Sequence, residues 1–185
     1  MNQEEIDAIA SCQKGELLKF ELLYEKYIKK IYDFVFYKTH HKELAEDLCS
    51  KIFMKALEHI DGFEVKKGTF QAWIYRIARN TVIDHYRTKK QDKNIDDVWD
   101  LAGDENVESD AEKAIRLDAV KKVLSGLSAK QRDVILLRLW HGYAFAEIAQ
   151  ILGMTEAACK MQYKRGMTTV RSDLVLVLFF LLFSL

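Results

Sequence analysis

The sequence predicts an all-α protein of two helical domains joined by an acidic linker, the C-terminal one containing a helix-turn-helix. Three observations carry that expectation. No proline occurs among the 185 residues. Apolar residues recur at three- and four-residue spacing, and no alternation of strand type survives beyond a few positions. The 28 basic and 28 acidic residues balance overall, yet they are segregated. Between Asp96 and Glu112 the acids Asp96, Asp97, Asp100, Asp104, Glu105, Glu108, Asp110 and Glu112 stand without one Lys or Arg. A stretch so charged buries little and reads as a solvated tether, and removing it leaves basic pieces on both sides.

Within the first piece, residues 16–38 place Phe20, Leu23, Tyr27, Ile31 and Phe34 along one helical face. Residues 43–60 form the next helix, burying Ala45, Cys49, Ile52, Phe53, Ala56 and Ile60. Its opposite arc holds Asp47, Ser50, Lys51, Met54 and Glu58. An exposed methionine among charges fits a protein-binding face, because a flexible thioether adapts to a partner. The plainer alternative is a solvated arc. Asp61-Gly62 breaks the helix, and Lys66 to Thr69 loops into the segment from Phe70 to Lys90. There Ile74, Ile77, Ala78, Thr81 and Val82 make a packing side, with Trp73, Arg76, Asn80, Asp84 and Arg87 as a second stripe. Arg79, Lys89 and Lys90 add charge, and Phe70, Tyr75 and Tyr86 add aromatic planes. Flat rings beside cations suit unstacked bases and phosphates. Taken alone, however, aromatics at helical spacing are more simply core.

The second piece begins with a helix expected over Ala111 to Leu124. Ser128 and Gln131 then offer a capping box for a helix ending near Trp140. A short helix, Phe145 to Leu152, carries Ile148, Ala149 and Leu152 inward, and Gly153 permits the turn that follows. Thr155 caps the next helix, with Glu156 in its first turn. Cys159, Tyr163, Gly166 and Val170 form that helix's buried face; Ala157, Lys160, Met161, Lys164 and Thr168 point away, with Arg165 and Arg171 at the flank. Helix, glycine turn, helix with a basic outer face is the arrangement whose second helix enters the major groove. An ordinary helical hairpin is the alternative. The lack of acids from Ala157 through Arg171 favours DNA.

In this order and at this separation, three segments resemble a known family. LAEDLCSKIFMKALEHI (Leu44 to Ile60) with the Phe70 to Arg87 helix is similar to the second region of bacterial sigma factors of the extracytoplasmic-function type. Leu127 to Arg171 is similar to their fourth region. These are the small subunits that direct core RNA polymerase to promoters, and the resemblance covers most of residues 16–172. It implies a region 2 domain at 1–92, the linker at 93–113, a region 4 domain at 114–173 and an apolar tail at 174–185. It places Asp47, Ser50, Lys51 and Met54 near the polymerase. It assigns Trp73, Arg76, Arg79, Asn80, Asp84 and Arg87 to the −10 element, and the loop Lys66 to Phe70 to capture of an extruded base. Thr155, Ala157, Lys160, Met161, Lys164, Arg165 and Arg171 fall to the −35 element. The implied partners are core RNA polymerase, promoter DNA and an anti-sigma factor, in the cytoplasm.

The sequence departs from the family in places. Ser128 stands where proline usually follows the leucine. The run Ala157-Ala158-Cys159-Lys160-Met161-Gln162 replaces the frequent Gly-Thr-Val-Lys-Ser-Arg, which changes the base edges that can be read. Met167 replaces a frequent arginine, an expected loss of backbone affinity.

Other classes find little support. Cys12, Cys49 and Cys159 are scattered and lack CxxC spacing, which argues against disulfides and zinc. Cys159 is expected on a buried face. His40-His41 is adjacent, so on a helix its side chains would diverge. No nucleophile triad, phosphate-cradling glycine loop or HExxH occurs, so a non-enzyme without metal or cofactor is expected. MNQEEIDAIA lacks the features of a signal peptide. The tail VLVLFFLLFSL, taken with Leu174 as a helix, spans about 18 Å against a hydrocarbon core of ~30 Å. Spanning is therefore not expected; packing on region 2 or on a partner is favoured, with shallow membrane association and a truncated or frame-shifted end as the alternatives. Two alternative functions are a helix-turn-helix regulator acting without polymerase and a helical adaptor with no DNA role.

Overall fold

A computed structural model describes residues 1–89 and 126–183, with side chains for 1–88, 126–139 and 141–171. The linker 93–113, the helix expected over Ala111 to Leu124 and the packing expected of the apolar tail therefore lie outside the described residues. Every regular element described is helical.

Helix α1 (Gln3–Cys12) is set by a capping box. The Asn2 side chain accepts from the Glu5 N–H at 3.1 Å, and the Glu5 carboxylate accepts from the Asn2 N–H at 2.9 Å. The helix docks through Ala8, Ile9 and Cys12. Glu5 is buried beside them, where the Tyr27 hydroxyl donates to it at 2.5 Å and the Lys26 ammonium lies 3.1 Å away. Burial alone would raise the Glu5 pKa. Tyr27, the Asn2 amide and Lys26 outweigh it and hold the carboxyl below its ordinary value.

Helix α2 (Phe20–Thr39) buries all five residues of its expected stripe and continues that stripe with Lys38. It stops at His40, which adopts a left-handed φ of 50°. His41 then caps α3 (Lys42–Glu58), its Nδ1 accepting from the Leu44 N–H at 3.1 Å. The histidine pair is thus an interhelical turn and not two successive helical positions. The buried arc of α3 holds Ala45, Cys49, Ile52, Phe53 and Ala56 as expected, and Leu48 besides; Ile60 is buried too, but in the 3-10 turn Ile60–Gly62 beyond the helix end. Thr69 opens α4 (Phe70–Lys89), its hydroxyl accepting from the Ala72 N–H at 3.1 Å. Edge-to-face rings knit these helices: Phe20 on Phe53 at 6.5 Å, Phe34 on Tyr75 at 5.1 Å.

In the second unit, the Ser128–Gln131 capping box opens α5 (Ala129–Ile135), which widens into a π-helical turn over Leu136–Trp140. Helix α6 (Phe145–Leu152) ends at Gly153 with φ 65°, and α7 runs over Glu156–Phe183. Ile148 and Ile151 are the fully buried residues of α6, with Ala149 and Leu152 half-buried. Gly166 lets α7 approach α5, since a Cβ there would lie 2.6 Å from Ile135 Cδ1 and 3.2 Å from Gln131 Cβ.

The sequence suggests two modules on a tether; the structure packs them together. Val134, Leu137, Tyr143, Ile148, Ile151 and Cys159 join the same apolar core as Leu23, Phe34, Ile74 and Tyr75. The cause is that α4 has apolar residues on two sides. One faces α2 and α3 and the other the second unit, with Tyr75 between them, 5.1 Å from the Phe34 ring and 5.6 Å from the Tyr143 ring.

Candidate nucleic-acid interface

Helix α7 keeps its local design. The Thr155 hydroxyl accepts from the Ala158 N–H at 3.1 Å. Ala157, Lys160, Met161, Lys164, Arg165, Thr168 and Arg171 are exposed, while Cys159 and Gly166 are buried and Tyr163 and Val170 half-buried. Lys160 pairs with Glu156 at 2.6 Å one turn back, an exposed contact that little restrains the ammonium. Thr155, Lys160, Lys164 and Arg165 thus form a polar and cationic strip beside the αL turn. Met167 lies on the other side, packed with Val170 on Leu127, Ile135 and Leu136. It is a packing residue here.

Helix α4 departs further from expectation. Arg76, Asn80, Asp84 and Arg87 are exposed along one ridge, and Arg79 is half-buried. Trp73 is half-buried, 5.3 Å from Phe63 and 5.5 Å from Phe70 between ring centroids. Phe70, Tyr75 and Tyr86 are buried and offer no free plane to a base. They are committed to the core, and burial pushes the hydroxyls of Tyr75 and Tyr86 up from their ordinary pKa. In the preceding loop, Lys66 and Lys67 are exposed, and Gly68 and Thr69 are half-buried.

Two of the ridge's cations reach across to the second unit. Arg76 Nη2 donates to the Gln150 carbonyl at 3.3 Å. Arg79 Nε donates to Asp133 Oδ2 at 3.4 Å, and the Lys38 ammonium donates to the other oxygen of that carboxylate. Lys38 and Asp133 are both almost fully buried, with side-chain exposures of 3% and 4%. Burial pulls the Lys38 pKa down to about 8, against the opposing pull of Asp133. Nearby, the Tyr143 hydroxyl donates to the Tyr75 hydroxyl at 3.2 Å, and His141 stacks on Tyr143 at 5.8 Å. Lys38 and Asp133 were absent from the sequence-based candidates. Their signal was a lysine continuing the Tyr27, Ile31, Phe34 stripe, a charge where the period calls for an apolar residue.

On α3, Asp47, Ser50, Lys51 and Met54 are all exposed, Met54 by 62%. Beside them a groove of about 680 Å³ opens between α2 and α3, floored by Phe20, Ile28, Tyr32 and Phe53, with Tyr24 and Met54 at its edges. A mostly apolar trough next to charged residues suits a partner helix.

Comparison with known proteins identifies both helical stretches. Residues 23–91 match sigma-70 region 2 and residues 117–170 match sigma-70 region 4. The chain is 31% identical over 175 residues to the ECF RNA polymerase sigma factor BldN of Streptomyces coelicolor, covering 90% of this chain and 64% of that one. It thus spans less than two thirds of that relative's length. It is 30% identical over 141 residues to the ECF RNA polymerase sigma factor SigM of Bacillus subtilis, covering 75% of this chain and 84% of SigM. In fold it is similar to CnrH in complex with the cytosolic domain of CnrY (TM-score 0.74, 19% identity, 93% of this chain and 97% of that one). It is likewise similar to the sigma factor RpoE of Bartonella quintana in complex with the anti-sigma factor NepR (TM-score 0.66, 24% identity, 84% and 96%).

Proposed function

From the premise that this chain belongs to the sigma-70 family, in its extracytoplasmic-function branch, we propose that it directs core RNA polymerase to specific promoters and assists duplex opening there. One observation carries the mechanism: the exposed cationic strip of α7 beside the αL turn at Gly153. Placed in the major groove of the −35 element, Lys160, Lys164, Arg165 and Arg171 reach phosphates, which fixes register. Thr155, Ala157 and Met161 face base edges. Methionine and alanine there favour apolar contact with thymine methyls over hydrogen-bonded readout.

The −10 element falls to the α4 ridge of Trp73, Arg76, Arg79, Asn80, Asp84 and Arg87. Extruding a base costs a few kcal/mol of stacking and pairing. An aromatic plane returns ~1–3 kcal/mol per base. With Phe70, Tyr75 and Tyr86 in the core, Trp73 is the aromatic of α4 left to supply it, alongside the loop Lys66 to Thr69. Asp47, Ser50, Lys51 and Met54 contact the polymerase, with the adjoining α2/α3 groove receiving an apolar helix side. The working division is region 2 at 1–92, linker at 93–113, region 4 at 114–173 and tail at 174–185. An anti-sigma factor restrains the protein, as NepR accompanies RpoE in the Bartonella complex. No described helix is long and apolar enough to cross a membrane, and the protein acts in the cytoplasm, without cofactor and without catalysis of its own.

The test is reconstitution. Mixed with core polymerase and a template carrying the DNA upstream of its own gene, the chain should yield a run-off transcript from one defined start, where core alone yields none. Absence of a specific transcript overturns the reading. Failure to co-elute with core, with duplex binding retained, would point to a regulator that works apart from polymerase.

A further inference from the structure

We propose that Gln13, at the end of α1, is a positioning residue for capture of the −10 base: its side-chain amide clamps the turn between α3 and α4 and, through Phe63, sets the plane of Trp73. The role in capture rests on the sigma reading; the clamp itself is geometry. The Gln13 Nε2 amide donates to two backbone carbonyls of that turn, Ile60 at 2.9 Å and Phe63 at 2.8 Å. Gln13 is itself held as the cap of α1, its N–H donating at 3.0 Å to the carbonyl of Ile9, which lies in the core. A side chain near the start of the chain thus fixes a turn 47 to 50 residues further on.

Within the turn, the Gly62 and Phe63 N–H groups donate to the His59 and Ile60 carbonyls at 3.1 and 3.0 Å. Those bonds set its curl, but only a contact from outside sets its tilt against α4. Tilt matters because the Phe63 ring is buried 5.9 Å from Phe70 and 5.3 Å from Trp73. Phe70 is fully enclosed, whereas Trp73 is half-buried and follows Phe63. Beyond Phe63 the chain passes through the short turn Val65–Lys67 to Thr69, which caps α4. The capture loop is therefore pinned by Gln13 at one end and by Thr69 at the other. A carboxamide suits the first pin, since its two N–H donors match two carbonyls without adding charge. Gln13 is exposed, so water replaces its bonds when it is removed, and the turn loosens at little cost to the fold. A loop already in its receiving shape spends less ordering entropy when the base arrives.

The full chain, assembled with core polymerase on promoter fragments carrying 2-aminopurine at each −10 position in turn, tests this. At saturating holoenzyme, Gln13→Met keeps the length but has no donor, and should slow the fluorescence rise that marks base extrusion about tenfold. Closed-complex affinity and melting temperature should not move. Gln13→Lys, whose ammonium offers donors to both carbonyls, should recover most of the rate. In a Trp73→Leu background, Gln13→Met should slow extrusion by less than about twofold, because the ring it orients is gone. Extrusion by Gln13→Met at the wild-type rate, slowing that Gln13→Lys does not rescue, or undiminished slowing beside Trp73→Leu would each overturn the positioning role. Hydrogen exchange of the free chain reads the clamp apart from transcription: the Gly62 and Phe63 amides should exchange at least about fivefold faster in Gln13→Met. Unchanged exchange would overturn the clamp. If wild-type holoenzyme opens no promoter, the sigma reading falls and the role in capture with it, while faster exchange in Gln13→Met would leave the clamp standing.

Discussion

Helices α4 and α7 both turn a polar, partly cationic ridge outward, yet they reach that state by different routes. Everything that orients α7 lies within its own unit: the αL turn at Gly153, the Thr155 cap, and a packing side of Cys159 and Gly166 set against α5 and α6. The outward strip is whatever remains. Helix α4 instead packs on two sides, against α2 and α3 within its unit and against α6 beyond it. Its exposed ridge is what two separate contacts leave over, and two of its cations are drawn into the second. A locally determined face stays displayed in every arrangement of the units. A face bounded by distant partners changes when they move.

The largest effect should come from attacking the locally built face. Charge reversal of Lys160 and Lys164 together should lower affinity for −35 duplex by roughly a hundredfold at moderate salt and flatten the salt dependence by about two phosphate contacts. Titrations of holoenzyme by fluorescence anisotropy at several salt concentrations would measure it. Because both side chains are exposed, the melting temperature should not move. An unchanged salt slope would mean that the strip faces solvent in the complex, and the contrast between the helices would lose its premise.

A smaller effect tests whether the packing side of α7 is as tightly specified as it looks. Gly166→Ala puts a methyl 2.6 Å from Ile135 Cδ1, so that side-chain end must turn away, and 3.2 Å from Gln131 Cβ, which must give by a few tenths of an ångström. Overpacking of this kind typically costs about 1–3 kcal/mol. Adding Ile135→Val removes the Cδ1 atom and should recover much of the loss, a coupling that a thermal double-mutant cycle reads. Substitution of Gly153 would act differently. Its φ of 65° opposes any side chain even though the space around it is open.

These positions also show how much was legible in the sequence. The buried arcs of α2 and α3, the Ser128 and Thr155 caps and the Gly153 turn follow from spacing and local chemistry, and all are in place. Helix α1 was not assigned, although Asn2 and Glu5 carry the capping-box pattern. The four-residue signature was there, but the helix it opens is short and acidic, and it is fixed by a tyrosine far along the chain. The sequence offers Phe70 and Tyr75 as planes for bases, whereas Phe70 is buried among Phe20, Tyr27 and Phe63 of its own unit and Tyr75 lies between Phe34 and Tyr143 of the second unit. Periodicity gives the angle of a side chain about its helix; it says nothing of how many neighbours that helix has. Lys38 stands out as a charge on an apolar stripe, but nothing in the sequence pairs it with Asp133, which looks like an ordinary surface charge until the two units meet.

An effect of similar size, and the narrowest in reach, separates two kinds of buried carboxylate. Asp133 joins the units, while Glu5 joins helices within one of them, so Glu5→Gln should weaken the first unit without loosening its hold on the second. Losing the charge on an acceptor of the Tyr27 hydroxyl, the Asn2 amide and the Lys26 ammonium should cost about 1.5–3 kcal/mol. The pH dependence follows from the lowered Glu5 pKa. An unfolded chain with an ordinary carboxyl takes up its proton first as pH falls, so the stabilisation is complete above the unfolded pKa and is lost as pH drops through the folded one. Melting curves of wild type and Glu5→Gln should therefore converge below the ordinary carboxylate pKa of about 4.3 and stand furthest apart near neutrality. Scattering at neutral pH should show unchanged dimensions for Glu5→Gln. An expanded variant would mean that α1 helps to hold the units together, and the division between within-unit and between-unit carboxylates would fail.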